Sequence, residues 1–527
     1  MTNRGIGDST RTMAIATFVS RALGFAKSTL LVLAIGGTSA SVGGQTFDVA
    51  NSAPTFLYGL IAGGVLGAIL VPQIVRAIAE GDEGRRQLER LLTLALLGAV
   101  VVTVALTLAA PFIVRLYAVG WPTDWLNLAT VMAYWTLPQV FFFIFYTVAA
   151  QLLNAHSRFT AAAWAPALSN VVAIAGLAFF LIALPSGLGS TESWNATMVA
   201  VLCGTATLGI ALQGVVLLIP LRRLGLRLRP RLGAAGLGAT SRIAGWTFGG
   251  LLAGQLAYLV IANVANSAGE RLNAAGINGA SLNSLSYAYL LLLLPHGVLT
   301  VSLATAMYTR MSHAAAGARF DELAGNVQQT TALVRYISLA ATAGFIVLGP
   351  TFTDLLWGTP IIGEVLRALT LGLLGFSQAY IVNRALYALQ DGFRPFLNQV
   401  TAAGTTILGS LIVALWLPIE YAVEYIAVVI AVSNTLSWWM ASRALSGHLR
   451  RAGVQQPGTT SNSMAALPSG IAMLASVLLG LGALTITNAL ITGLLIPLLI
   501  TAGVVLVSYA ACARLLGDHS LRQILRR

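Results

Sequence analysis

The chain has 527 residues, 57% of them hydrophobic and only 9% charged, with a mean hydropathy of +0.82. A soluble domain carries roughly 25% charged residues, so water is not the main solvent of this fold, and the several globular domains that length alone would suggest are excluded. The net charge of +13 does not point to nucleic acid, because the arginines stand in short clusters beside apolar runs, where loop charge sets membrane orientation.

A bilayer core about 30 Å thick needs about 20 mainly apolar helical residues. The first such run, 12–36, follows Arg4 and Arg11 as a signal peptide would, yet it continues through Arg21 and Lys27 without an A-x-A cleavage site. It reads as a retained first helix. Further runs fall near 47–78, 91–118, 125–153, 160–184, 196–220, 243–267, 282–312, 328–353, 362–389, 398–417, 421–446, 467–487 and 489–515. The fold class is therefore all-α and polytopic, with about fourteen transmembrane helices in a phospholipid bilayer.

Loop charge gives an independent check on that count. The loops after spans two, four, six, eight, ten and twelve hold Arg85, Arg86, Arg90, Arg158, Arg222, Arg223, Arg227, Arg229, Arg231, Arg319, Arg394, Arg450 and Arg451, whereas the alternate loops hold little basic charge besides Arg271. Basic loops stay cytoplasmic, which places both termini in the cytoplasm. An internal repeat at an offset of about 236 residues relates LLNAHSRFTAAAWAPALSN to ALQDGFRPFLNQVTAAG. Six spans per copy give both copies one orientation, as in parallel-repeat transporters. The expected organisation is a six-helix lobe over 1–220, a basic cytoplasmic linker over 221–242, a second six-helix lobe over 243–451 and two extra helices over 452–527.

Glycine and proline interrupt several spans, at Pro54, Gly63, Gly64, Pro72, Pro138, Pro166 and Pro295. Such breaks are tolerated where neighbouring helices or a wet cavity satisfy the freed backbone, and small residues also let helices pack closely. Ionisable groups at membrane depth are expensive, so they are the first functional candidates. Arg21 and Lys27 lie on span one about 120° apart around the helix, and long side chains can still converge on one cavity. Ser20, Gly24 and Lys27 share one stripe, and Lys27 is the only lysine in the chain. The plain alternative for both cations is snorkelling to the interface. Asp48, at the start of span two, can pair with one of them or can cap its helix. Asn51, Tyr58, Gln255, Tyr258, Asn263, Asn283, Tyr287 and His296 add hydrogen-bonding groups on spans two, seven and eight, either toward a ligand or as interhelical contacts.

No nucleotide-binding, nucleophile-elbow, zinc-protease or paired-carboxylate pattern occurs. Neither enzymatic catalysis, nor a metal site, nor a resident cofactor is implied, and Cys203 and Cys512, both inside apolar runs, read as packing residues. Few buried carboxylates are available for a proton relay, although one Asp could still take part; a coupling cation and the membrane potential are the other candidate drives.

The span-one text TFVSRALGFAKSTLLVLAIG, followed by FDVANSAPTFLYGLIAGGVLGAILVPQIVRA, resembles the opening of the MurJ (MviN) lipid II flippases, particularly an actinobacterial branch. The span-eight text LLLLPHGVLTVSLATAMYTRMSHAA is similar to the family's LPxGVxxxSxxT segment. The resemblance implies the multidrug/oligosaccharidyl-lipid/polysaccharide exporter fold, in which two lobes flank a cationic cavity and two extra helices form a groove for a lipid tail. It also implies alternating access, carrying lipid-linked disaccharide-pentapeptide to the external leaflet of the bacterial plasma membrane for cell-wall biogenesis.

By the same resemblance Ser20 and Arg21 match the family's Ser-Arg, while Lys27 stands where an Arg is usual and keeps charge without a bidentate fork. Ser28 replaces a common Asp, Gln45 an acidic residue, Tyr58-Gly59 an Arg-Arg pair, Gly63-Gly64 a Glu-Gly and Tyr289-Leu290 an Asp-Arg. The substrate-binding set that follows is Ser20, Arg21, Gly24, Lys27, Asp48, Asn51, Tyr58, Gln255, Tyr258, Asn283 and Tyr287, with Arg21 and Lys27 on the diphosphate. The alternatives are a flippase for another polyprenyl-linked glycan, an ion-coupled small-molecule exporter, and a membrane scaffold whose basic loops meet anionic lipid or cell-wall synthesis proteins.

Overall fold

A computed structural model describes residues 3–60, 74, 81–156, 158–184, 189–223, 242–454, 459–491 and 493–516. Among these residues, twelve helices are long and apolar enough to cross a bilayer, and a bent helix pair makes a thirteenth. They coincide with every expected span except the second, of which the start is helical and 61–73 lies outside the described residues. Gly63, Gly64 and Pro72 also fall outside them, as does the basic linker beyond Arg223.

The chain forms two compact units, Met1–Gln255 with Asn273–Ile277, and Leu256–Leu272 with Asn278–Arg527. The first contains α1 (Asn3–Ile35), α2 (Val42–Leu60), α3 (Gly81–Leu108), α4 (Ala110–Tyr117), α5 (Thr123–Thr136), α6 (Gln139–Ala155), α7 (Phe159–Ala183), α8 (Ala196–Val215) and α9 (Leu218–Arg223). The division falls inside α10 (Arg242–Ala274). The second unit continues with α11 (Leu282–Pro295), α12 (Val301–Ala316), α13 (Phe320–Trp357), α14 (Ile361–Thr370), α15 (Leu373–Ala388), α16 (Phe393–Trp416), α17 (Ala422–Arg451), α18 (Thr459–Leu490) and α19 (Leu495–Leu515).

Burial is reversed relative to a soluble protein. Phe18, Phe112, Ile182 and Leu490 are exposed, while Gln45, Thr136, Ser377 and Asn398 are buried. In water that distribution would destabilise the fold; in hydrocarbon the exposed apolar surface costs nothing and the buried polar groups must bond to each other. The core of the first unit centres on α6, where Val140, Ile144, Leu152 and Leu153 meet Leu88 and Leu92 of α3. In the second, Met307 and Met311 of α12 pack with Val334 of α13, Ile381 and Leu386 of α15, and Leu445 of α17. The final helix pair belongs to this unit: Tyr509 of α19 donates its hydroxyl to the Tyr336 carbonyl of α13 at 3.0 Å.

Two of the prolines break their spans and two do not. Pro138 separates α5 from α6, and Pro295 leads into a single π-type turn, His296–Thr300, between α11 and α12. Pro54 and Pro166 are accommodated inside α2 and α7. Asp48 lies in the second turn of α2, which starts at Val42, so it does not cap that helix. The carboxylate is too far along to meet the free N–H groups of the first turn; instead its Oδ1 accepts from Ser52 Oγ at 3.4 Å.

Four of the six arginine-bearing loops share one cap. In each, an N–H beyond the helix end donates five residues back: Arg158 to Leu153, Arg319 to Ala314, Asp391 to Leu386 and Val454 to Leu449, at 2.8–3.0 Å. This is the Schellman arrangement, which needs a left-handed residue. Gly453 supplies it at φ 82°, but Ala318 and Gln390 adopt it at φ 53° and 59°. A left-handed L-residue costs roughly 1–2 kcal/mol, partly offset by the larger entropy glycine loses on folding. Ala318→Gly and Gln390→Gly should each stabilise the protein by about 1 kcal/mol, whereas Gly453→Ala should destabilise it by a similar amount. Thermal unfolding in detergent, followed by size-exclusion chromatography after heating, checks both signs.

Candidate functional site

The first helix is held to α7 by its small face. Asn170 Nδ2 donates to the Ser20 carbonyl at 2.9 Å, and a Cβ added at Gly24 would lie 3.5 Å from the same nitrogen. Ser20 and Gly24 therefore serve packing between helices. Lys27, one turn further along and in the middle of the Ile15–Ile35 span, turns instead into a cavity of about 120 Å³ in the first unit. Arg21 is exposed on α1 and does not line that cavity.

Five helices enclose the cavity. Its polar wall is Lys27, Asn51, Thr55, Gln139, Ser169 and Thr205, and its apolar wall includes Leu31, Phe47, Phe143 and Leu177. The helices approach closely because glycine stands at the contacts: a Cβ at Gly209 of α8 would lie 2.7 Å from the Ser169 carbonyl oxygen of α7. Gln139 organises the wall. Its Nε2 donates to Asn51 Oδ1 at 3.3 Å and to Thr207 Oγ1 at 3.0 Å, and Thr207 in turn donates to the Trp135 carbonyl at 2.7 Å. Thr136 donates to the Ala50 carbonyl at 2.6 Å. The Trp135 carbonyl stands at the break before Pro138, and the Ala50 carbonyl of α2 stands four residues before Pro54, which has no N–H to give it; polar side chains take both up, tying α2, α5, α6 and α8 together.

These bonds leave the cavity rich in donors. Among the described residues neither the Lys27 ammonium nor the Asn51 amide nitrogen has a hydrogen-bond partner, and no carboxylate lines the space. A cation at membrane depth with no acid beside it, next to amide donors, is built to receive an anion. Asp48, one turn before Asn51, does not line the cavity.

The other sequence candidates fall into separate surroundings. Tyr58 is committed to α6: its hydroxyl lies 2.7 Å from Thr147 Oγ1 and its ring stacks on Phe143 at 4.7 Å. Gln255 reaches toward Gly59, 3.6 Å from where a Cβ would stand, so a long cationic side chain there would have to displace it. Gln45 is buried and donates to the Ser39 carbonyl at 2.9 Å, a bond that an ionised carboxylate in its place could not make.

Tyr258, Asn283 and Tyr287 belong to the second unit. Asn283 is buried in the first turn of α11, beside the capping box made by Ser281 and Ser284; its Oδ1 accepts from Ser281 Oγ at 3.1 Å, and Tyr287 packs on Trp357 at 5.8 Å. Tyr258 is half-buried on α10, and Asn263 donates to the Leu259 carbonyl on its own helix at 2.9 Å. His296, in the π turn, lies 3.0 Å from Ser377 Oγ and 4.3 Å from the Phe376 ring. Among the described residues no group of three or more His, Cys, Asp or Glu is placed to hold a metal ion.

Sequence reasoning missed Gln139, Thr207, Asn170, Ser169 and Thr205. Gln139 carried a usable signal, a long amide directly after a mid-span proline, where unpaired carbonyls demand donors. Asn170 and Ser169 stand together inside an otherwise apolar run, within the repeated text itself.

Comparison with known proteins bears on this arrangement. A family model described as "Lipid II flippase MurJ" matches residues 37–501. A probable lipid II flippase MurJ of Rhizobium meliloti (strain 1021) is 26% identical over 409 residues, 73% of this chain and 71% of that protein. One from Vibrio cholerae is 25% identical over 456 residues, 81% of each. Among solved structures, a lipid II flippase MurJ in an inward closed conformation superposes with a TM-score of 0.70 at 17% identity, covering 98% of this chain and 99% of that one. An inward-facing multidrug resistance MATE transporter of the MOP superfamily gives 0.66 at 16% identity, covering 82% and 96%. At those identities the structures establish a shared fold.

The wall chemistry makes a direct prediction. Gln139→Leu leaves the Asn51 and Thr207 side chains without their donor and should destabilise the protein by about 2 kcal/mol. Gln139→Glu should cost more, since an ionised carboxylate cannot donate to Asn51 Oδ1. Unfolding midpoints in detergent for the two variants and the parent provide the check.

Proposed function

Because the chain belongs to the lipid II flippase MurJ family, we propose that it turns lipid II, a polyprenyl-diphosphate-linked peptidoglycan precursor, from the cytoplasmic to the external leaflet. The observation that carries this reading is Lys27: an ammonium in mid-membrane, lining a cavity with no carboxylate in its wall among the described residues. A flippase has to move a polar, doubly ionised head group past hydrocarbon while the apolar tail stays in the bilayer. Burying the diphosphate without a counter-charge is prohibitive, and a fixed cation beside amide donors lowers that barrier.

In this reading Lys27 meets the diphosphate and Asn51 donates to it or to the adjoining sugar. Arg21, about 9 Å of helix nearer the N-terminus, attracts the head group on its way in. Alternating access of two lobes, 1–220 and 243–451, would expose the site to each side in turn, with both termini cytoplasmic. The helix pair after 452 would hold the lipid tail. The drive would be the membrane potential or a coupling cation. Transport rather than chemistry is the family's activity, and a cation exporter on the related fold is disfavoured by the same cavity, since a bound cation would face an ammonium at close range.

Reconstitution into proteoliposomes tests the assignment through the leaflet accessibility of lipid II. Lys27→Gln should slow translocation at least tenfold, and Lys27→Arg should retain most of it, because charge rather than fork geometry is what this chain uses. Wild-type rates in Lys27→Gln and in a Lys27→Gln, Arg21→Gln double variant would reject the reading.

A further inference from the structure

The second unit contains an arginine held by a tyrosine hydroxyl and two aromatic rings rather than by a carboxylate. Arg384 lies on α15, one turn before the helix ends at Ala388, in a bent span formed with α14. An arginine near the end of a span is expected to extend toward the interface. This one turns back: its Nη2 donates to the hydroxyl of Tyr380, one turn deeper, at 2.8 Å. The guanidinium carbon lies 5.2 Å from the centre of the Tyr380 ring and 5.4 Å from that of Tyr308 on α12. Two aromatic contacts and one hydrogen bond fix the plane of the group.

Nothing among the described residues neutralises it. No carboxylate lies within ion-pair distance of Arg384, and its remaining N–H groups have no protein acceptor. Arg367 shows the alternative, with two bonds at 3.0 Å to Glu364 and one at 2.7 Å to the Ile346 carbonyl. Arg319 likewise pairs with Glu322 at 2.8 Å. The half-buried Arg384 is thus oriented, charged and left with a free donor edge, the geometry with which guanidinium recognises phosphate in a bidentate manner. Its supports reach into the core: the Tyr380 ring meets His296 edge-on at 5.4 Å, and His296 lies beside Ser377 in the π turn between α11 and α12. Turns of that type often mark functional sites.

We propose that Arg384, framed by Tyr308 and Tyr380, is a second phosphate-binding site, on the other unit from Lys27, for the diphosphate of the transported lipid. This rests on the function proposed above. It supplies a planar fork that Lys27 lacks, and it stands at the end of α15 next to the loop bearing Arg394, the side on which basic loops are retained and from which the substrate is collected.

Binding of lipid II to the full chain in zwitterionic phosphatidylcholine nanodiscs tests the site. Arg384→Gln should weaken binding about tenfold, Arg384→Lys about threefold, and Tyr380→Phe, which removes only the orienting hydroxyl, two- to threefold, with elution profiles and unfolding midpoints near the parent's. Should Arg384→Gln fail to give monodisperse protein, the Lys and Phe variants carry the test. Normal lipid II binding in the Arg384 variants alongside weakened binding in Lys27→Gln overturns this site alone. Failure of the parent protein to bind lipid II overturns the function on which it rests. Phosphatidylglycerol titrated into the same nanodiscs separates the two sources of phosphate: loss of phosphatidylglycerol binding with unchanged lipid II binding would make Arg384 a bilayer anchor and overturn its substrate role.

Discussion

The structure depends on an uncompensated ammonium in the middle of a membrane span. A lysine at that depth costs about 2.5–3.5 kcal/mol on insertion scales, and a protein that needed only stability would replace it with leucine or pair it with an acid. Here, among the described residues, the wall around Lys27 contains amides, hydroxyls and apolar groups, and no carboxylate. The missing counter-charge is the feature that a phosphate-bearing head group would bring with it, so the cost in the empty protein becomes affinity in the loaded one.

The rest of the first unit keeps that cavity open and donor-rich. Glycine contacts such as Gly209 against Ser169 draw α7 and α8 together, while the break at Pro138 provides acceptors that Thr207 consumes. Gln139 spends both of its donor bonds on Asn51 and Thr207, which orients Asn51 so that its own N–H groups are left for the cavity. Apolar side chains such as Phe18 and Ile182 are on the outside, and the polar groups of this wall bond to one another or stand beside the space that the substrate would occupy. In hydrocarbon, packing and hydrogen bonding rather than the hydrophobic effect hold helices together, and stability and selectivity therefore draw on the same residues.

Much of this was legible in the sequence, because membranes impose strong rules. Span length and composition recovered the helices, and the expense of buried charge singled out Arg21 and Lys27, of which Lys27 lines the cavity. What stayed hidden depends on which way a side chain turns. Ser20 and Gly24 share a stripe with Lys27, yet they face Asn170 and serve packing. Asp48 looked like a helix cap, but α2 begins a full turn earlier. Asn283, expected among the substrate contacts, lies buried beside the capping box of α11 and accepts from Ser281. Arg384 was not singled out in the sequence at all, because only coordinates reveal that its guanidinium turns back to Tyr380. The division of the chain inside α10 was equally invisible, since an uninterrupted helix carries no composition shift.

Lys27 is the only lysine in the chain, so protein labelled with ¹⁵N-lysine has a single side-chain ammonium signal. Dipolar recoupling between that nitrogen and ³¹P, in phosphatidylcholine bilayers with and without lipid II, measures the central contact directly. A ¹⁵N–³¹P coupling that arises only when lipid II is present, corresponding to a separation of about 3–4 Å as in a charge-assisted contact, is the predicted result. An ammonium signal unchanged by saturating lipid II, with no phosphorus coupling, would contradict the account.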